Sequence, residues 1–553
     1  MSFEHGTSSP APEESFSLPD HRESFFEQEG DHELIPPGFL SFLRKGVRAL
    51  ESREQLLAMD PIDRIESATA AIQIVQRGEW LKPTKEYYDP MMEHMIVSEA
   101  YSEEQARNVF LENIYYPYQQ GFLHSDLVKY KMKVTDLEGA DLLREAFISA
   151  YASYCQELRY GKQVVDHFGI TTDQQAQEVV VFLDATIKTA REELKAKEPP
   201  PEIRAFDPLI QEIIVPNIVA IELNKGCSVG CPFCAFAAEN KVTASVPFRD
   251  AVWLRSESMR LNIRPQGEQV HNPLFYLRSD PLDYRDTSEG QERTYADLMR
   301  VFADELPFTS TAYPRKAKTV LREIPWAISR ISVGSANVKR FVKEGLFVVT
   351  EQNGVIPKDR DLQRALLFPP RSSAIANCLI PSFVHYAGRK RTQEKAVSEQ
   401  EGEIGGSIAC MEGVVYSSGK MRNTIRMYSS EHYSEGVAEA ELHTEQVQNG
   451  EEQVQKLKKR LEQEESIPVE ELLRYGIVRA HNARGIFPIQ AWALRESGKM
   501  HPKVKKESIR EQEYEFIFYT FETTSLPEEK KDVTSHRHNI TYNAVSGEVV
   551  SIR

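Results

Sequence analysis

Three cysteines, Cys227, Cys231 and Cys234, stand within eight residues, in the run Gly226-Cys-Ser-Val-Gly-Cys-Pro-Phe-Cys-Ala235. Thiolates spaced C-x3-C-x2-C can wrap one iron–sulfur cluster and hold three of its irons, leaving the fourth without a cysteine ligand from the motif. An iron with an open position can bind and break a substrate, whereas a four-cysteine site mainly carries electrons. A structural zinc site wants a fourth Cys or His at a similarly short spacing. The nearest histidine on the C-terminal side is His271, and Cys155 lies far upstream. Six cysteines in 553 residues are too few for a disulfide framework. Gly226, Gly230 and Pro232 make the run a tight loop, where cysteines are seldom buried for packing alone. The spacing favours a redox cluster over zinc or inert thiols.

Such a loop needs a strand before it and a helix after it. The run from Ile213 to Leu223 is apolar and rich in β-branched residues, and predicts the strand. Downstream, strand candidates alternate with helix candidates. Leu274–Leu277 precedes a helix from Tyr295 to Glu305, Phe308–Thr311 precedes a helix near Arg315 to Arg322, and Ser329–Val333 precedes a helix from Ala336 to Glu344. This alternation argues for a parallel sheet of βα units, with ligands at the carboxyl ends of its strands.

The cysteine run, with Phe233 just before its last cysteine, resembles the signature of the radical SAM enzymes. The resemblance implies an α/β fold with a partial (β/α)6 barrel. It also implies a 4Fe–4S cluster on Cys227, Cys231 and Cys234, with S-adenosylmethionine chelated at the open iron through its amino and carboxylate groups. Phe233 would then lie near the adenine. Arg278, Ser279, Asp280 and Pro281 occupy the place where the family commonly has Gly-Gly-Glu-Pro. Asp280 keeps a carboxylate before proline, and is expected to accept a charge-assisted hydrogen bond from the methionine ammonium. The glycines are absent, so Ser279 departs from the pattern, and an ordinary polar turn is the competing reading. Ser332 matches a serine that many members use near the ribose or carboxylate, and Gly334 would permit close backbone approach. Thr309 and Thr311 alternate towards one face of the preceding strand.

No cysteine follows Cys410, so one cluster is the economical reading. A helical amino-terminal region, one cluster and a late isolated cysteine resemble the layout of the polytheonamide-type radical SAM peptide epimerases. That resemblance implies a ribosomally made precursor peptide as substrate and L-to-D inversion at Cα. Cys410 would be the thiol that returns a hydrogen atom, with Cys378 as the rival donor and a plain buried cysteine as the alternative. A flavodoxin or ferredoxin would supply the electron. Other radical SAM reactions (crosslinking, methylation, oxidation) and a non-catalytic iron–sulfur module are the competing functions.

The formal charge of −16 argues against a nucleic-acid backbone as the main partner. No apolar run reaches the ~20 residues that span a bilayer, and the polar amino terminus lacks a secretory core. A cytoplasmic protein without a membrane partner is expected. Four regions are predicted: a disordered tail over 1–36, a helical domain over 37–196 that can bind a peptide leader, a catalytic core over 207–400, and a mixed α/β region over 401–553. Asp60 and Pro61 predict a helix start, and 103–113 and 174–195 show helical periodicity. Lys195 to Glu202, with three consecutive prolines, punctuates the chain. Val414 to Met427 and Ile540 to Ile552 predict hairpins, Glu513 to Thr520 a strand, 388–406 a loop, and Glu439 to Glu465 an amphipathic helix.

Overall fold

A computed structural model describes residues 37–76, 161–231, 234, 238–261, 273–275, 278–304, 310–324, 327–328, 330–334, 336–350, 366–368, 380–383, 413–417, 419–426, 437–479, 513–525, 531–543 and 546–553. The tail over 1–36, the helix expected over 103–113, the loop over 388–406, Cys155, Phe233, Thr309, Cys378 and Cys410 lie outside the described residues.

The helix expected at Pro61 runs over 61–76, and the Asp60 carboxylate accepts the Ile62 N–H at 3.0 Å. It packs with Pro37–Glu51 and Arg53–Ala58, burying Ile62, Ile65, Ala68, Ala71 and Ile74. The helix expected over 174–195 spans Asp173–Leu194, opened by a capping box between Thr172 and Gln175. These helices share one continuous core with the parallel strands, running from Phe42 through Ile221 to Phe521. Polar clasps hold them there: Arg300 reaches Glu66 at 2.9 Å, and Arg191 donates to the Val301 carbonyl at 3.1 Å.

The apolar run from Ile213 divides. Pro208–Ile214 is helix, Val215–Asn217 a 3-10 turn, and only Ile218–Glu222 is strand. Asp207 accepts the Leu209 N–H at 3.0 Å and Pro208 takes the first helical position. Helix initiation therefore overrides the β preference of the isoleucines.

Ile218–Glu222 pairs in parallel with Gly413–Ser417, and on its other side Ala220 makes a parallel bridge to Leu274. A second parallel group sets Ser310–Thr311 beside Arg330–Val333, and that strand beside Ile380–Phe383. Among the described residues, strand hydrogen bonds do not join these two groups into one sheet. Helices Phe248–Leu261, Tyr295–Val301, Pro314–Glu323 and Val338–Lys343 fall between successive parallel elements. Val348–Thr350 and Leu366–Phe368 form an antiparallel pair before the last of them.

The hairpin expected around Ser417 joins Gly413–Ser417 to Lys420–Arg426, which pairs onward with Val437–Glu441. The charged segment from Glu439 is therefore not one helix. It begins as that strand, with Ala438 and Ala440 buried, then forms helices Thr444–Gln448 and Gly450–Glu462. Val454 and Leu457 pack into a second core under the antiparallel sheet Ile477–Arg479, Glu513–Ser525, Lys531–Asn543 and Val549–Ile552. Buried Asn423 fastens the two sheets: its amide donates to the Leu473 and Gly476 carbonyls, both at 2.7 Å, and accepts from the Val478 N–H at 3.1 Å. No helix among the described residues is long and apolar enough to cross a membrane.

Candidate functional site

The cysteine loop leaves the carboxyl end of Ile218–Glu222. Asn224–Lys225 pairs antiparallel with Ala244–Ser245, so both ends of the loop are pinned. The buried Asn224 side chain and the Ser245 hydroxyl are hydrogen-bonded at 2.9 Å beneath it. Inside the loop, the Cys227 N–H donates to the Glu239 carbonyl at 2.7 Å and the Cys234 N–H to the Cys231 carbonyl at 3.2 Å. The Ala238 N–H points at Cys234 Sγ, 3.5 Å away.

Gly226 turns the chain into the loop at φ +86°, where a Cβ would stand 2.0 Å from the Lys241 carbonyl oxygen. Left-handed backbone alone costs a side chain about 1–2 kcal/mol. We expect Gly226→Ala to lose at least ~2 kcal/mol in denaturant unfolding, since backbone rather than a flexible side chain blocks the new methyl. An unchanged midpoint would refute the tight closure.

Cys227, Cys231 and Cys234 are free thiols, each partly exposed. Burial pushes the Cys227 thiol up to about 11, with Asp280 adding to the rise, and the same two causes lift Cys231 further. Such thiols keep their protons until a cation arrives, and a bound metal reverses the balance. Among the described residues, no three His, Cys, Asp or Glu side chains converge closely enough to hold a single metal ion. A mononuclear zinc site needs that convergence, with donors at about 2.0–2.3 Å from one centre. Three free thiols on one loop are a donor set that either a cluster or a zinc ion uses.

Residues 280–286 lie against this loop and stitch its surroundings together. Asp280 is buried, and its carboxylate accepts from the Thr311 hydroxyl at 2.9 Å, the Ala312 N–H at 2.9 Å and the Leu282 N–H at 3.1 Å. This carboxylate thereby ties the segment after Leu274 to the carboxyl end of Ser310–Thr311, linking the two parallel groups. Its burial lifts the pKa to about 6, against the pull of the Ala312 and Thr311 hydrogen bonds. Asp283 accepts from the Ser228 N–H at 2.7 Å and hydroxyl at 2.6 Å, and from Lys316 at 2.7 Å. The Tyr284 hydroxyl donates to the Val246 carbonyl at 2.9 Å, and Asp286 accepts the Phe248 N–H at 2.7 Å, where the next helix begins.

Ser279 is buried, and its hydroxyl has no hydrogen-bond partner among the described residues. Ser332 is also buried, its hydroxyl 3.1 Å from that of Ser310 on the neighbouring parallel strand. Asn337 holds the turn beyond it, accepting the Gly334 N–H at 2.8 Å and donating to the Ser332 carbonyl at 2.9 Å. Arg278 forms an ion pair with Glu439, which also lies 3.7 Å from Arg422.

Ser279 and Asp280 thus follow one parallel element and Ser332 lies next to the last residue of another, with Thr311 on Asp280 between them. Asp283, Lys316, Ser310 and Asn337 were not foreseen from the sequence. The threefold acidic spacing of Asp280, Asp283 and Asp286 was the available signal for the stitching segment. No protein-family model, curated protein or solved structure matches the chain.

Proposed function

We propose that the chain is a radical SAM enzyme. The reading is carried by three free, partly exposed thiols on one closed loop at the carboxyl end of a parallel strand. The order of the parallel elements supports it. Ile218–Glu222, Leu274, Ser310–Thr311, Arg330–Val333 and Ile380–Phe383 follow one another in chain order with helices between them, as winding into a partial (β/α)6 barrel requires.

Cys227, Cys231 and Cys234 would hold a 4Fe–4S cluster, and Phe233, Ser279, Asp280 and Ser332 would contact S-adenosylmethionine. When bound, these groups supply one-electron cleavage of the sulfonium and hydrogen-atom abstraction from a substrate. The carboxylate of Asp280 accepts from the Thr311 hydroxyl on both oxygens and from the Ala312 and Leu282 N–H groups, and an ammonium would share these oxygens through a charge-assisted bond. The Ser279 hydroxyl, buried without a partner among the described residues, would gain one from a ligand. Ser310 and Asn337 fix Ser332 and its backbone at the strand end.

The substrate that suits the sequence layout is a ribosomal precursor peptide, inverted at Cα, with Cys410 returning the hydrogen atom. A flavodoxin or ferredoxin would be the reductant, and a cytoplasmic setting suits the free thiols. Anaerobic reconstitution with iron and sulfide, then dithionite and S-adenosylmethionine, tests the class. The expected product is 5′-deoxyadenosine. Zinc in place of iron, or an intact cluster without that product, would overturn it. With a precursor peptide in deuterated water, each inverted residue gains one mass unit, and Cys410→Ala stops that gain while sparing cofactor cleavage. Normal epimerisation by Cys410→Ala removes the assignment.

A further inference from the structure

We infer that Asp283 and Lys316 form a paired-charge clamp that positions the cysteine loop and sets the reduction potential of the cluster it carries. The inference rests on the cluster reading above. Asp283 grips a single loop residue twice, through the Ser228 N–H at 2.7 Å and the Ser228 hydroxyl at 2.6 Å. Ser228 directly follows Cys227, so this grip fixes the backbone that carries the first sulfur. Asp283 is itself held by its own N–H on the Asp280 carbonyl at 3.0 Å.

The Asp283 side chain is only 2% exposed, and Lys316, 29% exposed, meets it at 2.7 Å from the next helix of the parallel wind. Lys316 also sits over the Tyr313 ring, 4.8 Å from its centroid. A carboxylate this buried is costly without a partner, and Lys316 provides one. Anchoring of Ser228 uses both carboxylate oxygens, one for its N–H and one for its hydroxyl, which an amide with a single acceptor oxygen would not reproduce. The same carboxylate, with the Lys316 ammonium opposite, sets a pair of opposite charges beside the loop.

Cluster potentials respond to nearby charge, hydrogen bonds and solvent access. The anion resists addition of one electron to the cluster, and the cation favours it. Asp283 and Lys316 therefore act in opposite directions on the same one-electron couple.

The test uses full-length protein, reconstituted anaerobically, with the potential read by a dithionite-poised electron paramagnetic resonance titration. Asp283→Asn should shift the potential upwards, Lys316→Gln downwards, and the double variant should return close to wild type. Shifts of the same sign in both single variants, or none, overturn the potential-setting role. If Asp283→Asn does not fold, Lys316→Gln decides alone: a downward shift supports the role, and no shift or an upward one overturns it. Hydrogen–deuterium exchange on the metal-free chain reads the clamp separately. Amides of residues 227–231 should exchange on the order of tenfold faster in Asp283→Ala and near wild type in Lys316→Gln. Unchanged exchange in Asp283→Ala refutes the clamp. Wild-type protein that takes up no iron and sulfide overturns the functional reading and the potential-setting role together, while the exchange result still decides the clamp.

Discussion

Replacing Cys231 by Ala should strip the protein of bound iron and drop formation of 5′-deoxyadenosine by more than ~100-fold, beyond what loss of an outer-shell partner costs a metal site. Cys231 is the central sulfur of the loop and is partly exposed. Its removal leaves little packing behind, so the melting curve of the metal-free protein should move by less than ~1 kcal/mol. That pairing of outcomes separates a ligand from a core residue. A core cysteine would reverse it, with a large stability loss and iron uptake unaffected. Iron is measured by colorimetric assay on the purified protein, and cofactor cleavage by chromatography of the quenched reaction.

The second large effect concerns stability and its dependence on pH. The Asp280 carboxyl titrates near 3.8 in the unfolded chain and near about 6 in the fold, because burial disfavours its charge. Between those values the folded state holds the extra proton. Stability from this group therefore falls as pH rises through about 6 and is regained as pH falls towards 4, an effect of about 3 kcal/mol. Asp280→Ala leaves the Leu282 and Ala312 N–H groups and the Thr311 hydroxyl without this acceptor. We expect a loss of about 3 kcal/mol at pH 4.5 that narrows to about 1 kcal/mol at pH 7.5. Urea unfolding of both metal-free proteins across this range measures the difference, in which all other titrating groups cancel. A gap that widens with rising pH would show that the charged form is the one the fold prefers.

Local signals in the sequence located several of the helices and hairpins, because each rests on neighbours in the chain. Pro61 after Asp60, the helical periodicity over 174–195, and the turn between Ser417 and Lys420 are of this kind. The isoleucines at 213–214 were misread as strand because the deciding residues, Asp207 and Pro208, stand before the apolar run. The segment from Glu439 was misread as one helix because its charge pattern hides two alanines that alternate onto a core face. In the site, the closeness of the three cysteines was legible because they are neighbours in the chain. Asp280 was legible as a residue but not as the joint between two groups of strands. Asp283 and Lys316 were invisible because their meaning depends on which helix lies opposite Ser228.

The strand that leads into the cysteines takes Val414 as the partner of Ile218. On a chain growing from its amino terminus, all three thiols emerge long before their flanking strand has been made. Contacts so far apart in sequence form slowly. The nascent thiols thus spend the rest of synthesis beside an unpaired β edge. On the proposed reading, delivery of inorganic iron and sulfide would belong after release, once Gly413–Ser417 has docked, and a chain truncated before that strand should lack a shaped place to receive them.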